Sequence, residues 1–459
     1  MTSHRTILLA ILVTSLILRL VILYAVGEIQ PYRDELRYLE AGRSIAAGEG
    51  IRYTNPLWDE RHAAPLYPWF VGTVFWLGGG PFEVKLAQVF LGTATVGFAY
   101  LLGMSWFGPT VGLVSAAILG FYPTMIAFTH YNWNEVLFLF WLVPALGLVF
   151  ERQGQLSRPG RLVLSGLLLG LAALTRPAMA FLVPLVPVWL VIVTRDLRMS
   201  ALRSAFLVLG FVVAILPTTI DIYKKHGGFL LISSAPAVVW YRSYNFFDPP
   251  NPDWTLQDER NLLPQLAKAL AAGKQPRPMV KESNPVLRVR EEMHRGIRFA
   301  LENPGLFFKQ TRMRIVEFLN PTSFLIRHFR LGLYQRGPDG QLIRDPLPAA
   351  VQNVIIATTV ASYMLVSVLA VLGVLCMPPG LQRSMIVMIV LFFILIHGLT
   401  VSMSRYRLGM LPVLAVSTAY LAVHFGACRD ALRSPRRAGT AVVIILLLGV
   451  VWGIQVDRI

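Results

Sequence analysis

The stretch TILLAILVTSLILRLVILYAVGEIQPYRDELRY, Thr6–Tyr38, decides the fold. Its first part, Thr6–Gly27, is long and apolar enough to cross a bilayer as a helix, which takes about 20 residues. Soon after it come two adjacent carboxylates, Asp34 and Glu35, set between Arg33 and Arg37. A membrane chain that holds paired negative charge at the water–lipid boundary has a reason to do so. Further polar and cationic residues return to that same side of the membrane, and the convergence points to an active site rather than a solvated loop.

The rest of the chain repeats the pattern of its opening. Of 459 residues, 55% are hydrophobic and 15% charged, with a mean hydropathy of +0.57. A soluble chain of this length carries far more charge. The apolar runs are continuous rather than alternating, which excludes a membrane β-barrel. The net charge of +17 is not a nucleic-acid signal. Much of it lies in short loops, where positive-inside orientation explains it, and anionic headgroups account for some of the rest. Cys376 and Cys428 sit at span ends on one side and suggest neither a disulfide framework nor a metal site. Arg5 before an apolar core resembles a signal peptide. No small-residue cleavage site follows it, so the first span is expected to be retained.

An all-α polytopic protein with about eleven transmembrane helices is therefore expected. The spans are Thr6–Gly27, Glu83–Trp106, Thr110–His130, Asn134–Phe150, Leu162–Thr175, Pro177–Val193, Ser204–Tyr223, Ala349–Leu375, Ser384–Met403, Leu408–Phe425 and Ala438–Val456. The short basic connections Glu151–Arg161, Arg195–Arg203 and Cys428–Arg437 fall on one side, the cytoplasm. Glu28–Ala64, Thr175-Arg176-Pro177, Lys224–Pro348 and Arg405-Tyr406-Arg407 then share the other. Pro65–Gly79 breaks the alternation and reads as an interfacial or re-entrant helix. Asp34–Gly48 reads as a second helix in the headgroup plane. The chain divides into an N-terminal transmembrane module (1–223, first outer loop 28–82), an outer loop region (224–348) and C-terminal transmembrane helices (349–459). In the loop region, helices are expected at Pro264–Ala272, Val286–Glu302 and Pro304–Phe318, packed on the outer surface of the membrane domain. No inverted repeat of the transporter kind is evident.

Several motifs occur in a set order. Arg33-Asp34-Glu35-Leu36-Arg37-Tyr38 is followed by Ala41-Gly42, Gly48-Glu49-Gly50 and Ala64-Pro65-Leu66-Tyr67-Pro68. Then come Glu135 opening a span, Leu174-Thr175-Arg176-Pro177, Gly227–Ser233, Glu302-Asn303-Pro304-Gly305, and Ser404-Arg405-Tyr406-Arg407-Leu408 leading to Pro412. This series resembles the GT-C glycosyltransferases over almost the whole chain. Its nearest likeness is to the branch that groups protein O-mannosyltransferases with the lipid A aminoarabinose transferase. Against the largest relatives, the C-terminal half is expected to be shorter, without an appended sugar- or protein-binding domain.

The resemblance implies transfer of one sugar from a polyprenyl-phosphate carrier, of undecaprenyl or dolichyl type, to a hydroxyl acceptor. It implies inversion at the anomeric carbon, in a cell membrane such as the bacterial inner membrane, on the periplasmic or exterior face. An acceptor hydroxyl needs a base, and Asp34 suits the role if desolvation raises its pKa. The departing lipid phosphate needs cations. Lys85, Arg176, Arg405 and Arg407 all lie at outer span ends, and arginine suits bidentate phosphate contact. Glu35 and Glu135 are further catalytic candidates; Asn134 competes with Glu135 for the second acidic slot. Tyr38, Tyr67 and Tyr406 are candidates for substrate contact. No cofactor is required, although the acidic residues could hold a divalent ion. The acceptor remains open between glycolipid, polysaccharide and protein side chain.

Each residue also has a plainer role. Asp34 and Glu135 could cap helices. Glu35 could pair with Arg33 or Arg37. Arg176 could snorkel to headgroups, and Tyr38, Tyr67 and Trp69 could be interfacial aromatics. His62 lacks the neighbours a zinc site needs and reads as a surface histidine. Gly78-Gly79-Gly80 lacks the Lys-Ser/Thr of a phosphate loop. A lipid-linked sugar flippase would use the same cations but needs a polar path. Spans such as Leu162–Thr175 and Pro177–Val193 are almost free of ionisable residues. A polysaccharide polymerase or ligase would not need the acidic pair after the first span.

Overall fold

The computed structural model describes residues 2–32, 34–54, 63–151, 155–234, 240, 247–248, 270–273, 275–276, 282–323, 326, 329 and 332–456. Its helices are α1 (Thr2–Val26), α2 (Asp34–Ala46), α3 (Leu66–Trp76), α4 (Pro81–Phe107), α5 (Pro109–Phe121), α6 (Pro123–Ala127), α7 (Glu135–Leu148), α8 (Pro159–Thr175), α9 (Leu185–Thr194) and α10 (Leu197–His226). They continue with α11 (Pro285–Glu302), α12 (Pro304–Phe318), α13 (Ala349–Cys376), α14 (Leu381–Leu399), α15 (Leu411–Val423), α16 (Phe425–Leu432) and α17 (Pro435–Val456). The one strand pair among the described residues is two residues long, Phe247–Asp248 against Gln275–Pro276.

Seven helical stretches have the length and hydropathy of a membrane crossing, and two bent pairs raise the number to nine if each is one span. The bends are 59° between Pro109–Phe121 and Pro123–His130, and 92° between Leu411–Val423 and Phe425–Leu432. At the first, Tyr122 is extended (φ −69°, ψ 119°), the conformation proline imposes on the residue before it. The two remaining expected spans are α7 and α8, at 14 and 17 residues, short of the roughly 20 that a crossing takes. Every expected span thus has an apolar helix, but length alone supports seven to nine crossings rather than eleven.

Helix α3 has 11 residues and rises about 16 Å, half the thickness of a hydrocarbon core of about 30 Å. It lies against α2. A Cβ on Gly42 would sit 2.4 Å from Val71 Cγ1, and one on Gly72 2.5 Å from Ile45 Cγ2, so bare backbone is what lets the two helices touch. α8 and α10 use the same device. A Cβ on Gly166 would sit 1.8 Å from Leu207 O, and one on Gly210 1.9 Å from Val163 O. Small residues suit helix contacts in lipid, where packing replaces the hydrophobic drive.

In the loop region α11 and α12 match two expected helices, whereas most of Pro264–Ala272 lies outside the described residues, as do Arg33 and His62. α12 packs against α14: a Cβ on Gly398 would sit 2.6 Å from Ile315 Cγ1. Its buried Phe318 reaches the rings beside the site described next. Cys376 and Cys428 are free thiols, both buried.

Candidate active site

Helix α2 begins at Asp34, which puts two carboxylates in its first turn, where they complement the helix dipole. The two diverge. Asp34 faces a cavity of about 270 Å³, lined also by Arg37, Asn134, Arg176, His397 and Arg405. Glu35 turns inward and is 1% exposed. Its Oε2 accepts from the Tyr32 N–H at 3.0 Å and its Oε1 from the Asn132 N–H at 2.8 Å. Burial pushes its pKa up, against the pull of Lys85 and of the two backbone donors. Glu35 therefore ties two loops together. The expected partner Arg37 instead meets Asp34, Nη2 to Oδ1 at 3.2 Å.

The cation that faces Asp34 most directly is Arg405, whose Nη2 donates to Asp34 Oδ2. Its Nε lies 3.6 Å from Glu135 Oε1. Burial works against its charge, but the Asp34 and Glu135 carboxylates hold its pKa well above the usual value. Trp133 supports the guanidinium from one side, 4.5 Å from the ring centroid. Arg176 occupies the break between α8 and the 3-10 turn Pro177–Leu182, in extended conformation before Pro177. Its Nη2 lies 3.3 Å from Glu135 Oε1, and its guanidinium stacks 4.4 Å over Tyr406. Glu135, 1% exposed, thus sits behind the two arginines and holds both. Asn134 reaches the cavity itself, donating through Nδ2 to Tyr38 OH and to Thr175 O, each at 3.0 Å.

Tyr38 and Tyr406 line the cavity. Burial raises the Tyr38 hydroxyl to about 12, against the pull of Arg37. Tyr67 stands behind Tyr38, edge-on at 4.7 Å, and donates to Gln88. It packs the wall and does not line the cavity. Arg407 points elsewhere: Nη2 donates to Thr322 O at 2.6 Å and the guanidinium lies 3.9 Å over Tyr363. Lys85 belongs to a second cavity of about 300 Å³, with Glu28, Arg43 and Asn132. The span-end cations therefore do not converge on one place: Arg176 and Arg405 meet, while Lys85 and Arg407 do not join them.

His397 and Thr400 also line the cavity, and sequence reasoning did not single them out. A histidine within an apolar run gives no signal of which face it occupies. Among the described residues no three His, Cys, Asp or Glu side chains gather as a metal-ligand set; Asp34 and Glu135 are both engaged by guanidinium groups instead.

Residues 62–220 match the dolichyl-phosphate-mannose-protein mannosyltransferase family. The structure is similar to the archaeal oligosaccharyltransferase AglB from Archaeoglobus fulgidus, solved with an inhibitory peptide and a dolichol-phosphate. The TM-score is 0.53 at 15% identity, covering 96% of this chain and 54% of that one. The likeness shows that the chain shares the fold of this oligosaccharyltransferase. An Archaeoglobus fulgidus oligosaccharyltransferase in the apo form gives a TM-score of 0.51 at 12% identity, over 96% of this chain and 54% of that one. ArnT from Cupriavidus metallidurans bound to undecaprenyl phosphate gives 0.43 at 16% identity, over 89% of this chain and 76% of that one. The chain thus spans about half the length of the oligosaccharyltransferase it resembles. No curated protein matches it in sequence.

Proposed function

We propose that the protein is a membrane glycosyltransferase that moves one sugar from a polyprenyl-phosphate carrier to a hydroxyl acceptor, with inversion, on the outer face of the membrane. The observation that carries this reading is the meeting of Asp34 with Arg405 and Arg176 around one cavity. Three guanidiniums (Arg37, Arg176, Arg405) face two carboxylates (Asp34, Glu135), which leaves one positive charge. A glycosyl phosphodiester carries one negative charge.

In the proposed reaction the acceptor oxygen forms its bond to the anomeric carbon from the face opposite the phosphate. The carbon–oxygen bond to phosphate breaks, and the pair of electrons leaves with polyprenyl phosphate. Asp34 takes the hydroxyl proton. Its carboxylate is 30% exposed, open enough to meet an acceptor, and the flanking guanidiniums stabilise its charge. Arg405 and Arg176 meet the growing phosphate charge. Both side chains line the cavity, where guanidinium N–H groups can meet the phosphate oxygens. Glu135 keeps the two cations in place. The neighbour with a bound dolichol-phosphate supports a lipid-phosphate ligand in this fold. Lys85 and Arg407 point away from this cavity and take no part in the proposed donor contact.

Purified protein given a labelled polyprenyl-phosphate sugar should release polyprenyl phosphate and glycosylate a hydroxyl acceptor. Movement of the intact donor across vesicles without release of polyprenyl phosphate would replace this reading with a flippase.

A further inference from the structure

The cavity that Asp34 faces is also lined by a histidine that the reaction above does not use. His397 is 6% exposed, yet it lines the cavity. Its ring is stacked against Tyr406 at 4.7 Å, Phe318 at 5.3 Å and Phe393 at 6.1 Å, with interplanar angles of 29°, 19° and 21°. Three faces drawn from α12, α14 and the 404–409 turn thus fix its plane. Nδ1 lies 3.1 Å from Val401 O. A carbonyl only accepts, so Nδ1 carries the hydrogen, and in the neutral ring Nε2 is left as an acceptor. Nε2 has no hydrogen-bond partner among the described residues. The His397 side chain lines the cavity, so an acceptor there can pair with a donor group on whatever fills it.

Its neighbours have the same polarity. Thr400 spends its hydroxyl hydrogen on Ile396 O at 2.6 Å, and its oxygen can still accept. Asn134 spends its Nδ2 on Tyr38 and Thr175, which leaves Oδ1. The cavity lining therefore offers both guanidinium donors and neutral acceptors. A glycosyl phosphate has the complementary division: an anionic phosphate and a ring of hydroxyl donors.

We infer that His397 Nε2 accepts a hydrogen bond from a ring hydroxyl of the donor sugar, so that His397 selects donors with a free hydroxyl at that position. This rests on the glycosyltransferase reading and adds a specificity-determining residue to it.

The test uses the full-length protein and short-chain polyprenyl-phosphate hexoses, the parent sugar and its monodeoxy series. For the wild type, one monodeoxy donor should fall in kcat/KM by about 10- to 100-fold, the effect of leaving one buried partner unpaired. His397→Phe keeps a flat ring for the stack and removes Nε2. It should lower kcat/KM on the parent donor by a similar factor and treat parent and that monodeoxy donor alike, with the acceptor KM unchanged. His397→Gln, which restores an acceptor, should recover part of the discrimination and serves if the Phe variant does not fold. If either variant discriminates across the whole series as the wild type does, or shifts acceptor KM instead, His397 has no such role while the transferase reading stands. A wild type that releases polyprenyl phosphate from none of these donors would defeat the reading and this assignment with it.

Discussion

A hydroxyl attacks carbon effectively only as its proton leaves, so the residue that receives the proton is the sharpest test of the cavity. Asp34→Asn keeps the size of the side chain and much of its capping ability. It cannot accept a proton as a carboxylate does. Turnover is expected to fall about 100- to 10,000-fold, the usual cost of removing a general base, while donor binding and folding persist; steady-state kinetics with a lipid-binding assay check this. A variant that keeps more than about a tenth of the rate, against that scale, removes Asp34 from the role. Glu35→Gln should behave differently. Its two oxygens serve two backbone N–H groups, and Gln offers only one acceptor. One buried donor is stranded at about 1–3 kcal/mol, so thermal stability in detergent should drop more than kcat does. Arg405→Ala and Arg176→Ala should weaken donor use by roughly ten- to a hundred-fold, from about 1.5–3 kcal/mol per charge-assisted bond. Arg407→Ala is the contrast. Its bonds go to the carbonyls of Pro321 and Thr322, so it should lower stability and leave donor kcat/KM near that of the wild type.

Among the elements, α2 carries the most function on the least structure, since its 13 residues bring Asp34, Arg37 and Tyr38 to the cavity. Its position depends on the close contact at Gly42. Gly42→Leu must push α3 away, an overpacking cost of about 1–3 kcal/mol. Activity should fall with stability, because Asp34 moves relative to Arg405. Gly97→Ala is a fair control: its Cβ would meet only Leu12 Cδ2 at 3.8 Å, ordinary contact, and melting should be almost unchanged. The helices were largely legible from hydropathy and proline, because a run of apolar residues and a helix-opening Pro act locally. The site was legible only in part. Asp34, Arg176, Arg405 and Tyr406 lie beside chain breaks, and breaks concentrate at one membrane face, which the sequence reveals. Lys85 and Arg407 lie at the same depth but point to other sides of their helices, and depth says nothing of azimuth. His397 sits within an apolar helix whose pattern gives no reason to prefer one face. Glu35 looked like a partner for Arg37 by spacing, but burial and two backbone donors outcompeted that contact.

At the scale of the whole molecule, the basic connections bear on which side of the membrane the cavity faces. The cavity gathers the start of α2, the start of α7, the end of α8 and the turn at 404–409, so these share one face whatever its orientation. The opposite ends of α7 and α8 carry the connection Glu151–Arg161. Arg203 Nη1 donates to Ser157 O at 2.6 Å, which joins that connection to Arg195–Arg203. Two basic connections therefore lie together, far along the helices from the cavity. Short basic loops are retained in the cytoplasm, so the cavity and the region from Lys224 to Pro348 are expected outside. Gln155→Cys and Gln275→Cys, made singly, provide the check, since the native thiols Cys376 and Cys428 are buried. An impermeant maleimide added to intact cells should label position 275 and spare 155 until the membrane is opened. Labelling at 155 but not at 275 would invert the orientation, place Asp34 and Arg405 at the cytoplasmic face, and require a donor presented there.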